Sequence, residues 1–267
     1  MKPCVLVTGA TDGIGRASAQ ALHDRGWRVL VHGRTKLKAE KTARALNPDK
    51  NIATPVWGNF EVMDEVATLA TQVISEVDAL DALLNNAGIY PAQRKITADG
   101  FELTMAVNHF APFLLTNRLI KLLKAANSAR IVTVSSTTHN GASLNVDDLL
   151  LEHKWDSYAA YSASKLANIL FTRQLARNLD KTRVTANSLH PGVVRTKLLR
   201  KAFSGGGTSV EDGARTSVYL VGDRRVAGVS GKYFVDSQEQ PASKKAQDLR
   251  LARALWGETT ALLIQHL

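Results

Sequence analysis

The chain has 267 residues, of which 45% are apolar and 22% charged, with a formal net charge of +10 and a single cysteine. This composition is that of an ordinary globular protein with ample material for a core; one cysteine excludes an intrachain disulfide, and the lack of 18 consecutive uncharged apolar residues excludes a membrane-spanning helix. The basic excess is concentrated early, with ten Lys/Arg against four Asp/Glu in the first fifty residues, but it is interleaved with apolar positions, so a solvated face and an anionic cofactor are expected rather than nucleic acid or a membrane surface.

In chain order, residues 3–8 read as a buried strand containing Cys4 as a structural thiol, and 13–25 as a helix. A strand at 27–32, a helix at 36–46, a strand at 52–57 and a helix at 61–75 follow. Next come a strand at 81–85, helical pattern near 99–125 and a strand at 130–135. A long helix over 157–179 leads to a strand at 183–189, a helix near 209–221, a last strand at 231–235 and helical pattern over 243–264. Such alternation implies βαβ units with right-handed crossovers, hence a doubly wound α/β sandwich of three layers around a parallel sheet. No repeat or linker divides residues 1–267, so a single domain is expected; Ser204-Gly205-Gly206-Gly207-Thr208 suits the hinge of a lid over 195–215.

Four local patterns carry chemistry. Thr8-Gly9-Ala10-Thr11-Asp12-Gly13-Ile14-Gly15 joins the first strand to the first helix. Glycines there permit a tight turn and close backbone approach, and the helix N-terminus favours a pyrophosphate; an ordinary βα turn would read the same way. Asn85-Asn86-Ala87-Gly88 ends the fourth strand, beside the crevice where such folds bind cofactors. Ser135-Ser136 follows an apolar run, where a hydroxyl can hold a substrate oxygen or merely make a turn. Tyr161 and Lys165 are four apart on the long helix and share a face. An ammonium there would draw the phenol pKa from about 10 toward neutrality, as a general acid/base needs, although surface helices carry many such pairs.

The cofactor's chemistry is read from the end of the second strand, which meets the adenosine ribose in dinucleotide folds. Val31-His32-Gly33-Arg34-Thr35-Lys36 contains no acid to take a free 2′-hydroxyl. Arg34 offers a planar fork suited to a 2′-phosphate, and Arg16 is a candidate second contact. NADP(H) is therefore the expected cofactor, and no metal is expected.

The order and spacing of these patterns resemble the short-chain dehydrogenase/reductase superfamily from residue 3 to about 196. The resemblance implies a Rossmann-like fold with a seven-stranded parallel sheet in the order 3-2-1-4-5-6-7, and hydride transfer between nicotinamide and a carbonyl or alcohol carbon. It makes Tyr161 the proton donor or acceptor, Lys165 its partner and a ribose ligand, and Ser136 rather than Ser135 the residue positioning the reacting oxygen. Asn108, in Val107-Asn108-His109, would support a water-linked proton path. Cofactor contacts are implied for Gly9, Thr11, Asp12, Gly13, Ile14 and Gly15, for Arg34, for Asn59 and Phe60 beside adenine, and for Asn86, Ala87 and Gly88. Pro191, Gly192, Val194 and Thr196, in His190-Pro191-Gly192-Val193-Val194-Arg195-Thr196, would hold the carboxamide end.

A narrower resemblance, to the retinol dehydrogenase and WW-domain oxidoreductase branch, rests on Val107-Asn108-His109-Phe110, on Leu166-Ala167-Asn168-Ile169-Leu170-Phe171 after Lys165, and on the spacing of 25 between Ser136 and Tyr161. It implies a lipophilic aldehyde, ketone or alcohol as substrate. Asn59 stands where an Asp is usual, and the N-terminal anchor common in retinol enzymes is not seen, so a cytoplasmic protein is expected. Homodimers or homotetramers through the helix bearing Tyr161 are usual in the superfamily. The alternatives are an NAD-dependent alcohol dehydrogenase and a nucleotide-sensing interaction protein without catalysis; the latter would be expected to lack part of Ser136, Tyr161, Lys165 and Asn108.

Overall fold

A computed structural model describes residues 2–46, 53–198 and 206–267. Strands β1 (Cys4–Val7), β2 (Arg28–Gly33), β3 (Ala53–Trp57), β4 (Ala82–Asn85), β5 (Ala129–Val134), β6 (Val184–His190), β7 (Tyr233–Val235) and β8 (Gln238–Gln240) form one sheet in the order 3-2-1-4-5-6-7-8. The seven expected strands pair in parallel and in the expected order. The eighth is an addition: β8 returns antiparallel to β7 through Asp236 and Ser237, whose φ values of 48° and 61° make a tight hairpin turn. Its residues, Gln-Glu-Gln, are all exposed, so no alternation of apolar and polar positions announced it.

Helices α1 (Gly13–Asp24), α2 (Lys36–Leu46) and α6 (Val210–Gly222) cover one face, and α3 (Met63–Glu76), α4 (Ala111–Ala125), α5 (Ser157–Asn178) and α7 (Leu249–Leu262) the other. Side chains alternate across a strand, and the two cores divide accordingly: Cys4, Leu6, Leu30 and Leu83 enter one, and Val5, Val7, Val29 and Leu84 the other. Burial pushes the Cys4 thiol up to about 12, which keeps it protonated and inert.

The helical pattern near 99–125 is not one helix. The buried carboxylate of Glu102 accepts from the Met105 N–H at 2.9 Å, the Thr104 hydroxyl at 2.9 Å and the Trp155 indole at 3.0 Å, and starts a single turn, Leu103–Met105. A π-helical segment, Ala106–Phe110, precedes α4. Pro112 explains the irregularity, since it has no N–H for the carbonyl of Asn108 four residues back.

The C-terminal helix docks on α5. Trp256 stacks on Phe171, with ring centres 5.8 Å apart, and meets Phe113 edge-on at 4.8 Å; Thr259 bonds His109 Nε2 at 3.0 Å. Helix α5 is consequently buried from Ala160 to Thr172 and exposed only toward its ends. Among the described residues, no helix is long and apolar enough to cross a membrane.

Three buried histidines couple this packing to pH. Burial pushes His109 down to about 3 and His32 and His190 to about 4, so each is neutral when folded, whereas an unfolded imidazole takes up a proton near 6.5. Their contribution to stability is complete above about pH 6.5 and is lost progressively as pH falls toward about 4. Urea denaturation should show a lower midpoint at about pH 4.5 than at about pH 7, and equal midpoints would contradict the burial of these rings.

Candidate active site

The direction of chain progression reverses between β1 and β4, and the loops leaving their carboxyl ends part to form a crevice. Side-chain and backbone bonds hold the two strand ends together. The Thr8 hydroxyl accepts from the N–H groups of Asn86 and Ala87 at 2.9 and 3.0 Å, and the Asn86 amide donates to the Thr8 carbonyl at 2.8 Å. Above this seam the glycine loop turns through Gly9 (φ 65°) and Gly13 (φ 52°). Gly15 opens α1 against the loop so closely that a β-carbon would collide with the Gly9 carbonyl and the Asn86 amide. Backbone amides at a helix N-terminus are thereby bared to a cavity of about 790 Å³.

His32 fixes the loop from below. Its Nδ1 accepts from Gly9 N–H at 3.1 Å, so Nε2 carries the proton and donates to the Gly58 carbonyl at 2.9 Å, and the ring stacks on Phe60 with centres 4.6 Å apart. Asn59 shapes the same edge through Oδ1, which accepts from Glu61 N–H at 3.3 Å. Arg34 lies at this end of the cavity with Lys38 from α2, whereas Arg16 is exposed and does not line it. Lys38, rather than the expected Arg16, is the second basic residue lining this end. The carboxylate missing from residues 31–36 arrives from elsewhere: Glu61 Oε1 is 3.5 Å from Arg34 Nη1, a pair largely open to solvent.

At the other end, the Asp156 side chain accepts from Ala159 N–H at 2.8 Å and starts α5, which carries Tyr161 and Lys165, both buried, into the cavity wall. Lys165 Nζ donates to the Val134 carbonyl at 3.1 Å and lies 5.5 Å from the centre of the Tyr161 ring. Burial, rather than the charge of Lys165, is the largest influence on the Tyr161 phenol in this arrangement. Burial pushes Tyr161 up to about 12, against a hydrogen bond with the Ser136 side chain, and pushes Lys165 down to about 8. Loss of water around both groups outweighs their mutual influence, and the ammonium spends a hydrogen on the backbone of β5.

The two serines separate cleanly. Ser135 Oγ donates to the Lys165 carbonyl at 2.7 Å and is consumed, whereas Ser136 accepts from Thr138 N–H at 3.2 Å and meets Tyr161. Ser136 is steadied by His139, which donates through Nδ1 to its carbonyl at 2.7 Å and accepts from Ser243 N–H at 3.1 Å.

Asn108 does not line the cavity. Its amide exchanges bonds with Ile89 at 2.8 and 3.1 Å and donates to Ser164 Oγ at 3.0 Å, bracing α5 against the loop after β4. A β-carbon on Gly88 would sit 3.4 Å from both Asn108 Oδ1 and Lys165 Nζ, so the backbone there passes close to both groups.

The segment after β6 completes the wall. Apart from Arg16, every residue expected to touch the cofactor lines the cavity, including Pro191, Gly192, Val194 and Thr196. Val194 and Thr208 form a bridge, with Arg195 N–H donating to the Thr208 carbonyl at 3.0 Å and Thr208 N–H to the Val193 carbonyl at 2.8 Å. This bridge ties Val194, just before the expected lid over 195–215, to Thr208 within it; Leu199, Arg200, Lys201, Phe203, Ser204 and Gly205 lie outside the described residues. Lys197 Nζ reaches Asp12 Oδ2 at 2.6 Å across the mouth of the glycine loop. His32, Lys38, Glu61 and Lys197 also line the cavity without having been expected there. The first two were legible as neighbours of Arg34 in sequence, and Lys197 only as a residue of the expected lid; Glu61 carried no signal.

Cradle, bared amides and basic end all fit a dinucleotide. A family model for short chain dehydrogenases matches residues 3–206, and the chain belongs to that family of nicotinamide-using oxidoreductases acting on small molecules. Within it, the chain resembles retinol dehydrogenases. It is 41% identical to human retinol dehydrogenase 14 over 94% of this chain and 83% of the relative, and 36% identical to human retinol dehydrogenase 12 over 97% and 85%. Among solved structures, a Mycobacterium paratuberculosis protein is 30% identical with a TM-score of 0.82, over 97% of this chain and 92% of its own. A Shigella flexneri short chain dehydrogenase complexed with NADP is 25% identical with a TM-score of 0.71, over 88% and 97%.

The cradle depends on the contact at Gly15. Gly15→Ala should remove dinucleotide binding, read as loss of NADPH fluorescence enhancement, while circular dichroism still reports the α/β fold; wild-type affinity in this variant would show that the loop has slack that the packing denies.

Proposed function

We propose that this chain is a cytoplasmic NADP(H)-dependent oxidoreductase interconverting an alcohol with an aldehyde or ketone on a lipophilic substrate, within one catalytic domain whose lid spans 195–215. The observation that carries this reading is the convergence of Tyr161, Ser136 and Lys165 at one end of the cavity, with Arg34 and Lys38 at the other.

A bound nicotinamide supplies or accepts the hydride. The chain's own residues manage the proton. Tyr161 is neutral near pH 7 because burial raises its pKa to about 12, so its Oη–H is held ready for a carbonyl oxygen that gains charge during reduction. Ser136 Oγ steadies that same oxygen. Lys165, still largely protonated near pH 7 with a pKa of about 8, favours negative charge on the phenol when the proton leaves. In the oxidative direction these roles reverse. The cavity is also lined by Ile89, Val107, Val134, Val193 and Leu198, which suit an apolar substrate body.

The preference for a 2′-phosphate rests on Arg34 and Lys38. A second reading, an NAD-dependent alcohol dehydrogenase, draws on Glu61, a carboxylate within reach of the same ribose that would repel a phosphate. Two basic groups against one acid favour NADP(H). A purely nucleotide-sensing role leaves the assembled Tyr161, Ser136 and Lys165 without a purpose. Because α7 covers α5, copies pairing on this side would meet through α7 rather than through the helix carrying Tyr161.

Two variants test this reading. Tyr161→Phe should lower kcat with carbonyl substrates by roughly 10²–10⁴-fold and leave NADPH affinity almost unchanged; more than half the activity retained would remove Tyr161 from catalysis. Arg34→Ala should raise the NADPH dissociation constant by about 10- to 100-fold, as expected for a charged hydrogen bond, with little effect on NADH. Equal wild-type affinity for the two cofactors would overturn the NADP preference.

A further inference from the structure

We infer that Lys197 neutralises Asp12 so that the glycine loop, despite a carboxylate at its crown, can accept the phosphates of a dinucleotide. The inference rests on the proposed dinucleotide site and concerns how this chain makes that site receptive.

Asp12 is the N-cap of α1. Its Oδ1 accepts from Gly13 N–H at 2.9 Å, so it satisfies one of the bare donors at the helix start. The same helix terminus is where the cavity offers amides to an anion, and Asp12 lines that cavity. A carboxylate in this place has two effects on an incoming phosphate. It occupies an N–H, and it adds a negative charge at close range, where two like charges repel by amounts that solvent reduces but does not abolish.

Lys197 answers the charge. Its Nζ lies 2.6 Å from Asp12 Oδ2, and it arrives from the opposite lip of the cavity, beside Thr196, whose Cγ2 would lie 3.4 Å from a β-carbon on Gly13. The pair is exposed, at 74% for Lys197 and 59% for Asp12, so little folding stability depends on it. The hydrogen bond from Lys197 is also the largest cause holding the Asp12 carboxyl below its ordinary range, which keeps the charge in need of an answer at any neutral pH. Of the charged groups near Asp12, Arg16 acts on it more weakly than Lys197 does. The geometry thus divides labour at the loop: the aspartate orders the helix start, and a lysine from another segment cancels its cost to anion binding.

The test is a double-mutant cycle read by NADPH fluorescence titration, with NADH in parallel. Lys197→Ala should weaken both cofactors by about 3- to 10-fold at low ionic strength, because the pyrophosphate is common to them, and the ratio to wild type should shrink toward one as salt screens the charge. Asp12→Ser keeps a capping oxygen and removes the charge. Placed in the Lys197→Ala background it should restore affinity to near the wild-type value, and Lys197→Arg should behave like wild type. A Lys197→Ala protein that binds as wild type does, or a double mutant as weak as Lys197→Ala alone, would overturn the inference, the latter by showing that Lys197 acts on the phosphate directly. Failure of the wild-type protein to bind either dinucleotide would instead overturn the proposed function.

Discussion

The seam between β1 and β4 governs the site. Thr8 and Asn86 lace the two strand ends together, and Gly15 packs against Gly9 and Asn86 with no room for a side chain. Because these strands lie side by side while their following loops diverge, the seam fixes the floor of the crevice and aims the start of α1 across it. His32 extends the same control outward, since one neutral ring holds Gly9 on one edge and Gly58 on the other. The end carrying Tyr161, Lys165 and Ser136 is built on a different pair of elements, β5 and α5, but it inherits its distance from the loop through the continuous pairing β1-β4-β5.

Dehydration sets the protonation states here more than neighbouring charge does. Burial displaces Tyr161, Lys165 and the rings of His32, His109 and His190 in the direction that favours the neutral form. For His32 this neutrality is structural, because Nδ1 needs its lone pair to accept from Gly9 N–H. Tyr161 is kept protonated near pH 7, and Lys165, with a pKa of about 8, holds its own proton less firmly than a solvated lysine does. Spacing along a helix shows that two such side chains share a face; only the packing around them shows which way water's exclusion tips each one.

Much of this was legible in the sequence, for reasons that differ by element. The parallel core strands are apolar on both faces and bounded by turn residues, and seven of the eight strands were expected in their observed order. β8 escaped because an exposed edge hairpin needs no apolar alternation. The break at Ala106–Phe110 escaped because the period of apolar residues runs straight through it, although Pro112 marked the place. The glycine loop, Tyr161, Lys165 and Ser136 were picked out by their spacing, and all border the cavity. Arg16, the candidate second basic contact, turns with α1 and faces solvent instead of lining the cavity. Lys197 was expected only as part of the lid, and Glu61 not at all, since its segment's own pattern says nothing about the cleft it borders.

The bridge between Val194 and Thr208 has an implication for how such a protein diversifies. Both ends of the intervening stretch are clamped by backbone hydrogen bonds, and Gly207 permits the close approach, since a β-carbon there would lie 2.7 Å from the Val193 carbonyl. The anchors are set largely by main chain, so side-chain replacements at Val193 and Val194 can alter the rim of the cavity while the clamp, the sheet and the seam stay as they are. Rim chemistry and scaffold are thereby separable inheritances.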